Sequence, residues 1–288
     1  MKRVTRMGWV RIVALATVVS ASHAHAMDLQ LGGKTALITG STAGIGYATA
    51  KRLLSEGAQV IINGRTQASV DRAAQSLAAA TGNRPLEFAG DMSKAEDIAR
   101  LTRTFPSVDI LVNNVGTFIA RPFEKTTDQD WYDTFNLNVM SGVRLSRFYL
   151  AGMRARNWGR IIFISSESAL QIPPEGVQYG MSKAAEIAVA RGIAESVART
   201  GITVNSILPG PTLDPSDARI AQLAKRSGQS FEQMQESFFR TRRPTSLIQR
   251  FERPDEIATL IAYVASPLAS GTTGAALRVD GGVVKSAF

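Results

Sequence analysis

The sequence predicts an α/β fold: a doubly wound parallel sheet of about seven strands with helices on both faces. Three observations carry that expectation. Short β-branched apolar runs alternate with helical stretches along the chain. Most of these runs are too continuously apolar to leave one face in water, so they suit strands covered on both sides. A glycine-rich turn joins the first run to the first helical stretch.

Strands are expected at 35–39 (TALIT), 59–63 (QVIIN), 86–90 (LEFAG), 109–113 (DILVN), 160–165 (RIIFIS), 203–208 (TVNSIL) and 276–280 (ALRVD). Helical periodicity fills 45–56, 68–81, 94–104, 128–156, 177–200 and 255–265. Such alternation implies right-handed crossovers between parallel strands. Residues 27–288 read as a single domain, with no repeat, low-complexity tract or dividing linker.

Residues 212–250 interrupt the alternation with helical, charged sequence. An insertion there lies beyond the C-terminal end of a strand, where ligands bind in such sheets. Stretches near 216–227 and 230–239 offer Ile220, Leu223, Phe231, Met234, Phe238 and Phe239 as an inner apolar face. Arg219, Lys225, Arg226, Arg240, Arg242 and Arg243 would supply outer or rim charge. A mobile lid over a substrate is expected; a rigid helical pair capping the core or an interface is the alternative.

Residues 1–26 stand apart. A basic segment ends at Arg11, an apolar run spans Ile12 to Ala21, and Ala24-His25-Ala26 fits a small-x-small cleavage site. The apolar run is too short to span a bilayer, so no stable membrane insertion is expected. The competing reading is a misassigned start, because Met27 opens a stretch that looks like the beginning of a complete domain. The expectation leans to the cytoplasm; export to the periplasm is the alternative.

The formal charge of +9 invites a nucleic-acid partner, but removing Lys2, Arg3, Arg6 and Arg11 leaves +5. The remainder forms no basic stripe with interleaved aromatics, so nucleic acid is not expected. The chain has no cysteine, which excludes disulfides, thiolate nucleophiles and thiolate metal sites. Both histidines, His23 and His25, fall in the N-terminal segment, so a Ser-His-Asp triad or a His-based zinc site is closed to the folded domain.

Gly40, Gly44 and Gly46 follow the first strand and open the first helix. A pyrophosphate there needs a tight turn, close backbone approach and helix N-terminal amides aimed at its charge. Three glycines at such a junction also serve plain turn chemistry.

The run Thr39 to Gly46 (TGSTAGIG) resembles the short-chain dehydrogenase/reductase family, in its compact single-domain branch. The likeness continues through NNVG (113–116), FNLNVMSGV (135–143), GRIIFISSES (159–168), YGMSK (179–183), VNSILPGPT (204–212) and VDGG (279–282). It implies a Rossmann-type fold and hydride transfer between a nicotinamide cofactor and an alcohol or carbonyl substrate.

Tyr179 and Lys183 stand four residues apart, on one face of a helix. An ordinary phenol, with a pKa of about 10, is a poor base at neutral pH. A nearby ammonium favours the anionic form and makes proton exchange feasible. In isolation the pair is also what an exposed amphipathic helix presents. The resemblance assigns Tyr179 the proton transfer and gives Lys183 the nicotinamide ribose as well. It implies that Ser166 bonds the substrate oxygen, with Ser165 the neighbouring alternative, and that Asn138 holds a water relaying protons beyond Lys183.

For the cofactor, the resemblance implies contacts from Gly40, Ser41, Thr42, Gly44, Ile45 and Gly46 in the turn. It adds Asp91 at the adenine, Asn113 and Gly116 along the cleft, and Pro209, Gly210 and Thr212 near the carboxamide. The residue ending the second strand meets the adenosine ribose; a carboxylate there selects NAD and a basic residue accepts the 2′-phosphate of NADP. This chain reads Gly64-Arg65, so NADP is expected, with NAD possible. Val115 stands where the family usually has alanine, adding two methyl groups near the cofactor. A homo-oligomer, a tetramer by resemblance, is expected because the helices at 128–156 and 177–200 are apolar over much of their circumference. A 3-oxoacyl-carrier-protein reductase is a nested alternative, with the basic lid facing an acidic carrier. A non-catalytic nucleotide-binding regulatory module is the other, which loss of Tyr179 or Lys183 would have favoured.

Overall fold

The computed structural model describes residues 27–214, 222 and 228–287. The leader-like segment and, Gln222 apart, the expected lid stretch at 216–227 lie outside the described residues.

Seven strands form one parallel sheet: β1 (Thr35–Ile38), β2 (Gln59–Gly64), β3 (Leu86–Ala89), β4 (Ile110–Asn113), β5 (Gly159–Ile164), β6 (Ile202–Pro209) and β7 (Ala276–Val279). Each falls on its expected run. The spatial order is β3-β2-β1-β4-β5-β6-β7, so chain order reverses between β1 and β4. At that switch point Leu37 pairs with Ile61 on one side and Leu111 on the other. The crevice outside the strand C-termini there is where a doubly wound sheet binds its ligand.

Alternation along the strands divides the core into two layers. Ile38, Ile62, Val112 and Ile164 face α1 (Gly44–Ser55), α2 (Gln67–Thr81) and the late helix over Pro254–Ala265. Leu37, Ile61, Leu111 and Phe163 face α3 (Ala95–Thr104), α5 (Ser141–Arg156) and α6 (Val177–Ser196). Both faces are therefore buried, which is why the strands read as continuous apolar runs.

The expected helix at 128–156 is divided. Its first part, α4 (Asp128–Phe135), starts on a capping box between Thr127 and Asp130. A single π-turn over Asn136–Met140 then leads into α5. Asn138 sits in that turn, buried, and bonds to the chain at Thr117 and to Ser182 of α6. Such turns recur at functional sites and are invisible to a 3.6-residue period. The helix expected at 177–200 ends at Ser196, and Arg199 turns the chain toward β6 with φ at +65°.

Of the insertion, α7 (Phe231–Thr241) is a capped helix, and α8 (Pro254–Ala265) follows it. Among the described residues no helix is long and apolar enough to cross a membrane.

Candidate active site

The glycine turn is held by side-chain amides from the two neighbouring strand ends. Asn63, polar within the buried part of β2, accepts from Gly40 N at 3.1 Å and donates to Gly90 O at 3.0 Å. Asn114, just past β4, donates to Thr39 O at 2.8 Å and Gly40 O at 3.1 Å. Thr39 Oγ1 in turn accepts from the backbone of Asn114 and Val115. The turn is thus rigid before any ligand arrives.

Its glycines answer to this crowding. Gly40 has φ at +63°, and a Cβ on Gly46 would stand 2.5 Å from Asn114 Nδ2 and 2.6 Å from Gly40 O. No side chain caps the start of α1 at Ala43. A bare helix N-terminus behind a turn of positive φ is what a pyrophosphate requires, so these residues fit a dinucleotide. Ile45 lines the cleft. Ser41 is turned inward: its hydroxyl donates to Ile38 O and accepts from Asn63 N. Thr42 lays Cγ2 where a Cβ on Gly64 would be, 2.5 Å away.

The cleft encloses about 600 Å³ and is lined by Gly116, Ser166, Tyr179, Lys183, Gly210 and Thr212, among others. Tyr179 and Lys183 come from the start of α6, and Lys183 Nζ lies 5.7 Å from the Tyr179 ring centre. Phe118 meets that ring edge-on at 5.0 Å. Lys183 is buried and donates to Ile164 O at 2.8 Å and to both oxygens of Glu186, at 3.0 and 3.2 Å. Burial works against its charge, but Glu186 and Tyr179 outweigh that and hold the Lys183 ammonium above its ordinary pKa.

Ser166 ends the β5 segment and caps a 3₁₀ turn, accepting from Ser168 N at 3.1 Å. Its neighbour Ser165 donates to Lys183 O at 2.7 Å, anchoring α6 to β5. Asn138 is clamped by Thr117 at both ends of its amide and by Ser182 Oγ at 2.9 Å. Gly116 lies over this corner: a Cβ there would be 3.3 Å from Lys183 Nζ and 3.5 Å from Asn138 Oδ1.

Pro209, Gly210 and Thr212 form the turn after β6. Gly210 N donates to Val279 O at 2.8 Å and Glu252 Oε2 at 3.0 Å, while Thr212 Oγ1 donates to Gly210 O at 2.9 Å. Gly210 has no room for a side chain, because Asp280 Cα would be 2.8 Å from its Cβ. Glu252 is buried beneath this turn, and burial pushes its carboxyl up to about 7.

Asn113, Arg65 and Asp91, all expected at the cofactor, do not line the cleft. Asn113 points away from the cleft, donating to Ser146 of α5 at 3.2 Å, and it is Asn114 that lines the pocket. Arg65 is exposed, with no ion pair among the described residues. Asp91 accepts from Ser93 N and Oγ on one oxygen.

The outer wall comes from the insertion. Phe231, Phe238 and Phe239 gather on Phe251, with centroids 6.1, 4.9 and 5.1 Å away. Arg243, expected at the rim, turns inward instead, because a buried carboxylate at Glu167 attracts it at 2.9 Å. Arg242 pairs with Glu175. Sequence reading placed Asn114 in the cleft only within the run 113–116, and did not single out Asn63, Glu167, Glu186 or Glu252. Only Asn63 carried a signal, as a polar residue within the buried part of a strand facing the core on both sides.

A doubly wound sheet with a rigid, bare glycine turn at its switch point and Tyr179 beside a buried Lys183 across the cleft defines a nicotinamide-dependent oxidoreductase acting on CH–OH or C=O groups. The family model for short chain dehydrogenase matches residues 34–224. The chain belongs to the short-chain dehydrogenase family. It is similar to the uncharacterised oxidoreductase YvrD of Bacillus subtilis, 43% identical over 265 residues, covering 90% of this chain and 100% of the relative. D-beta-hydroxybutyrate dehydrogenase of Cupriavidus necator is 34% identical, covering 88% and 99%. Among solved structures, L-sorbose reductase from Gluconobacter frateurii, complexed with NADPH and L-sorbose, superposes with a TM-score of 0.82 at 34% identity, covering 90% and 100%.

Proposed function

We propose that this protein interconverts a small alcohol and its carbonyl partner with NADP(H), Tyr179 exchanging the proton. The observation that carries the reading is the meeting of Tyr179, Lys183 and Ser166 in one cleft beside the glycine turn. When bound, the nicotinamide supplies or accepts the hydride. In reduction, the Tyr179 hydroxyl gives a proton to the substrate oxygen as charge develops there, and Ser166 holds that oxygen by a hydrogen bond. Lys183 favours the phenolate left behind through its charge. Asn138, with its amide fixed by Thr117 and Ser182, would hold the water that returns the proton.

Amides of the Gly40–Gly46 turn would hold the pyrophosphate, with Asp91 at the adenine, Asn114 and Gly116 along the nucleoside and Thr212 at the carboxamide. Asn113 supports that wall from behind. The preference for NADP is supported by Gly64, where Thr42 leaves no room for the carboxylate that would select NAD. Arg65 beside it is free to meet a 2′-phosphate. L-sorbose reductase, complexed with NADPH, is consistent with this choice. Arg242 and Arg243 are both neutralised by glutamates, which favours a neutral substrate over an acidic carrier protein. The reaction belongs in the cytoplasm, where the soluble nucleotide is.

Tyr179→Phe tests the reading. It keeps the ring against Phe118 and removes the proton, so kcat falls by about a hundredfold or more while NADP binding survives. Turnover within tenfold of the parent would refute it. A screen of neutral hydroxy-ketones and alcohols, followed by nicotinamide absorbance, identifies the substrate.

A further inference from the structure

Glu186 is buried one turn beyond Lys183, and nothing in the proton-transfer scheme above uses it. Both its oxygens lie within 3.2 Å of Lys183 Nζ, and Ile164 O takes the remaining direction at 2.8 Å. An ammonium has three protons, so its donors are fully engaged. A buried ion pair is weak grounds for stability, because both charges lose their water and an apolar pair would pack as well. An acid at this position therefore calls for another explanation.

Among the described residues Lys183 is the sole charged partner of Glu186. β6 and the π-turn carry no titratable side chain. Arg160 of β5 is engaged by the carbonyls of Gly159, Gly201 and Ser266 at the other end of the strand. On α4, Asp130 pairs with Arg121 and Asp133 accepts from Gln129, while Asp128 and Tyr132 face solvent. Glu167 and Glu175 of the 3₁₀ turns are taken by Arg243 and Arg242, and Glu195 on α6 by Arg191.

We propose that Glu186 is a positioning residue: a built-in counter-ion that holds Lys183 Nζ in place and offsets its charge, thereby setting both the pH range of proton transfer at Tyr179 and the hold on the cofactor ribose. The inference rests on the assignment of Tyr179 and Lys183 above. A negative charge behind the ammonium weakens the field that favours phenolate at Tyr179. The same carboxylate competes with ribose hydroxyls for the protons on Nζ, so one of its bonds must yield when the cofactor binds. Burial raises the Glu186 carboxyl above its ordinary pKa against the pull of Lys183.

The test compares Glu186→Gln with Glu186→Asp in the full chain. In Glu186→Gln the pH midpoint of alcohol oxidation should move down by about one unit, and NADP binding, measured by fluorescence without substrate, should tighten several-fold. Glu186→Asp, which retains the charge, should keep the native midpoint. If Glu186→Gln does not fold, Glu186→Met replaces it with the same expected shift. A folded neutral variant with the native midpoint and native NADP affinity overturns the proposal. So does failure of both neutral variants to fold while Glu186→Asp folds, since Glu186 then serves the fold. Tyr179→Phe separates the two levels: if it stays active the functional reading itself fails, whereas an inactive Tyr179→Phe beside an unshifted Glu186→Gln removes only the role of Glu186.

Discussion

Arg243 reaches back from just beyond α7 and lays its guanidinium against Glu167, with Nε and Nη2 both 2.9 Å from Oε1. The pair ties the insertion to the 3₁₀ turn that begins at Ser166. Glu167 is 3% exposed, and its other oxygen has no hydrogen-bond partner among the described residues.

Removing Arg243 should therefore destabilise the protein in a pH-dependent way. Burial raises the Glu167 pKa and Arg243 opposes that rise. Without the arginine, an ionised Glu167 is buried unpaired, at a cost of about 3 kcal/mol. A carboxyl raised in the folded state loses stability as pH rises through its folded value. The Tm deficit of Arg243→Ala should thus be small near pH 5 and large near pH 8. Equal deficits at both would place the loss in packing instead.

Arg65→Ala should weaken NADPH binding far more than NADH binding. A charge-assisted bond to phosphate exceeds an ordinary hydrogen bond, so the selective loss should be on the order of 1.5–3 kcal/mol. Isothermal titration with both cofactors reads this directly, and parallel losses would remove Arg65 from the 2′-phosphate.

In α7 only Phe239 is fully buried, whereas all six residues of β5 are. Local stability follows buried contact, so amides of 231–241 should exchange faster than those of β4 and β5 in the apo protein. Exchange should slow when NADP is added. Protection equal to the central strands without cofactor would make the insertion a fixed cap and not a lid.

Tyr132, Phe135 and Phe148 are 70, 39 and 45% exposed along α4 and α5. An apolar face of this kind normally meets a partner, and a symmetric homo-oligomer, a tetramer, is the arrangement expected here. Light scattering at micromolar concentration should return four chains; a monomer mass would contradict it.

The sheet was legible in the sequence because its strands are buried on both faces, and continuous β-branched runs have few other uses. The glycine turn and the Tyr179–Lys183 pair were legible because local spacing carries their chemistry: a turn needs its glycines, and four residues make one helical face. The π-turn at Asn138 escaped because it changes hydrogen bonding without changing the apolar pattern. The buried acids escaped for a different reason. Glu186 and Glu167 look in sequence like solvated acids. Their burial follows from where α6 and the 3₁₀ turn after β5 pack, and Arg243 reaches Glu167 across 76 residues of chain. Sequence by itself determined the strand runs, the glycine turn and the candidate groups for the chemistry. Only the tertiary structure decided which charges lose their water, and hence which must pair, because desolvation depends on neighbours that are distant in the chain.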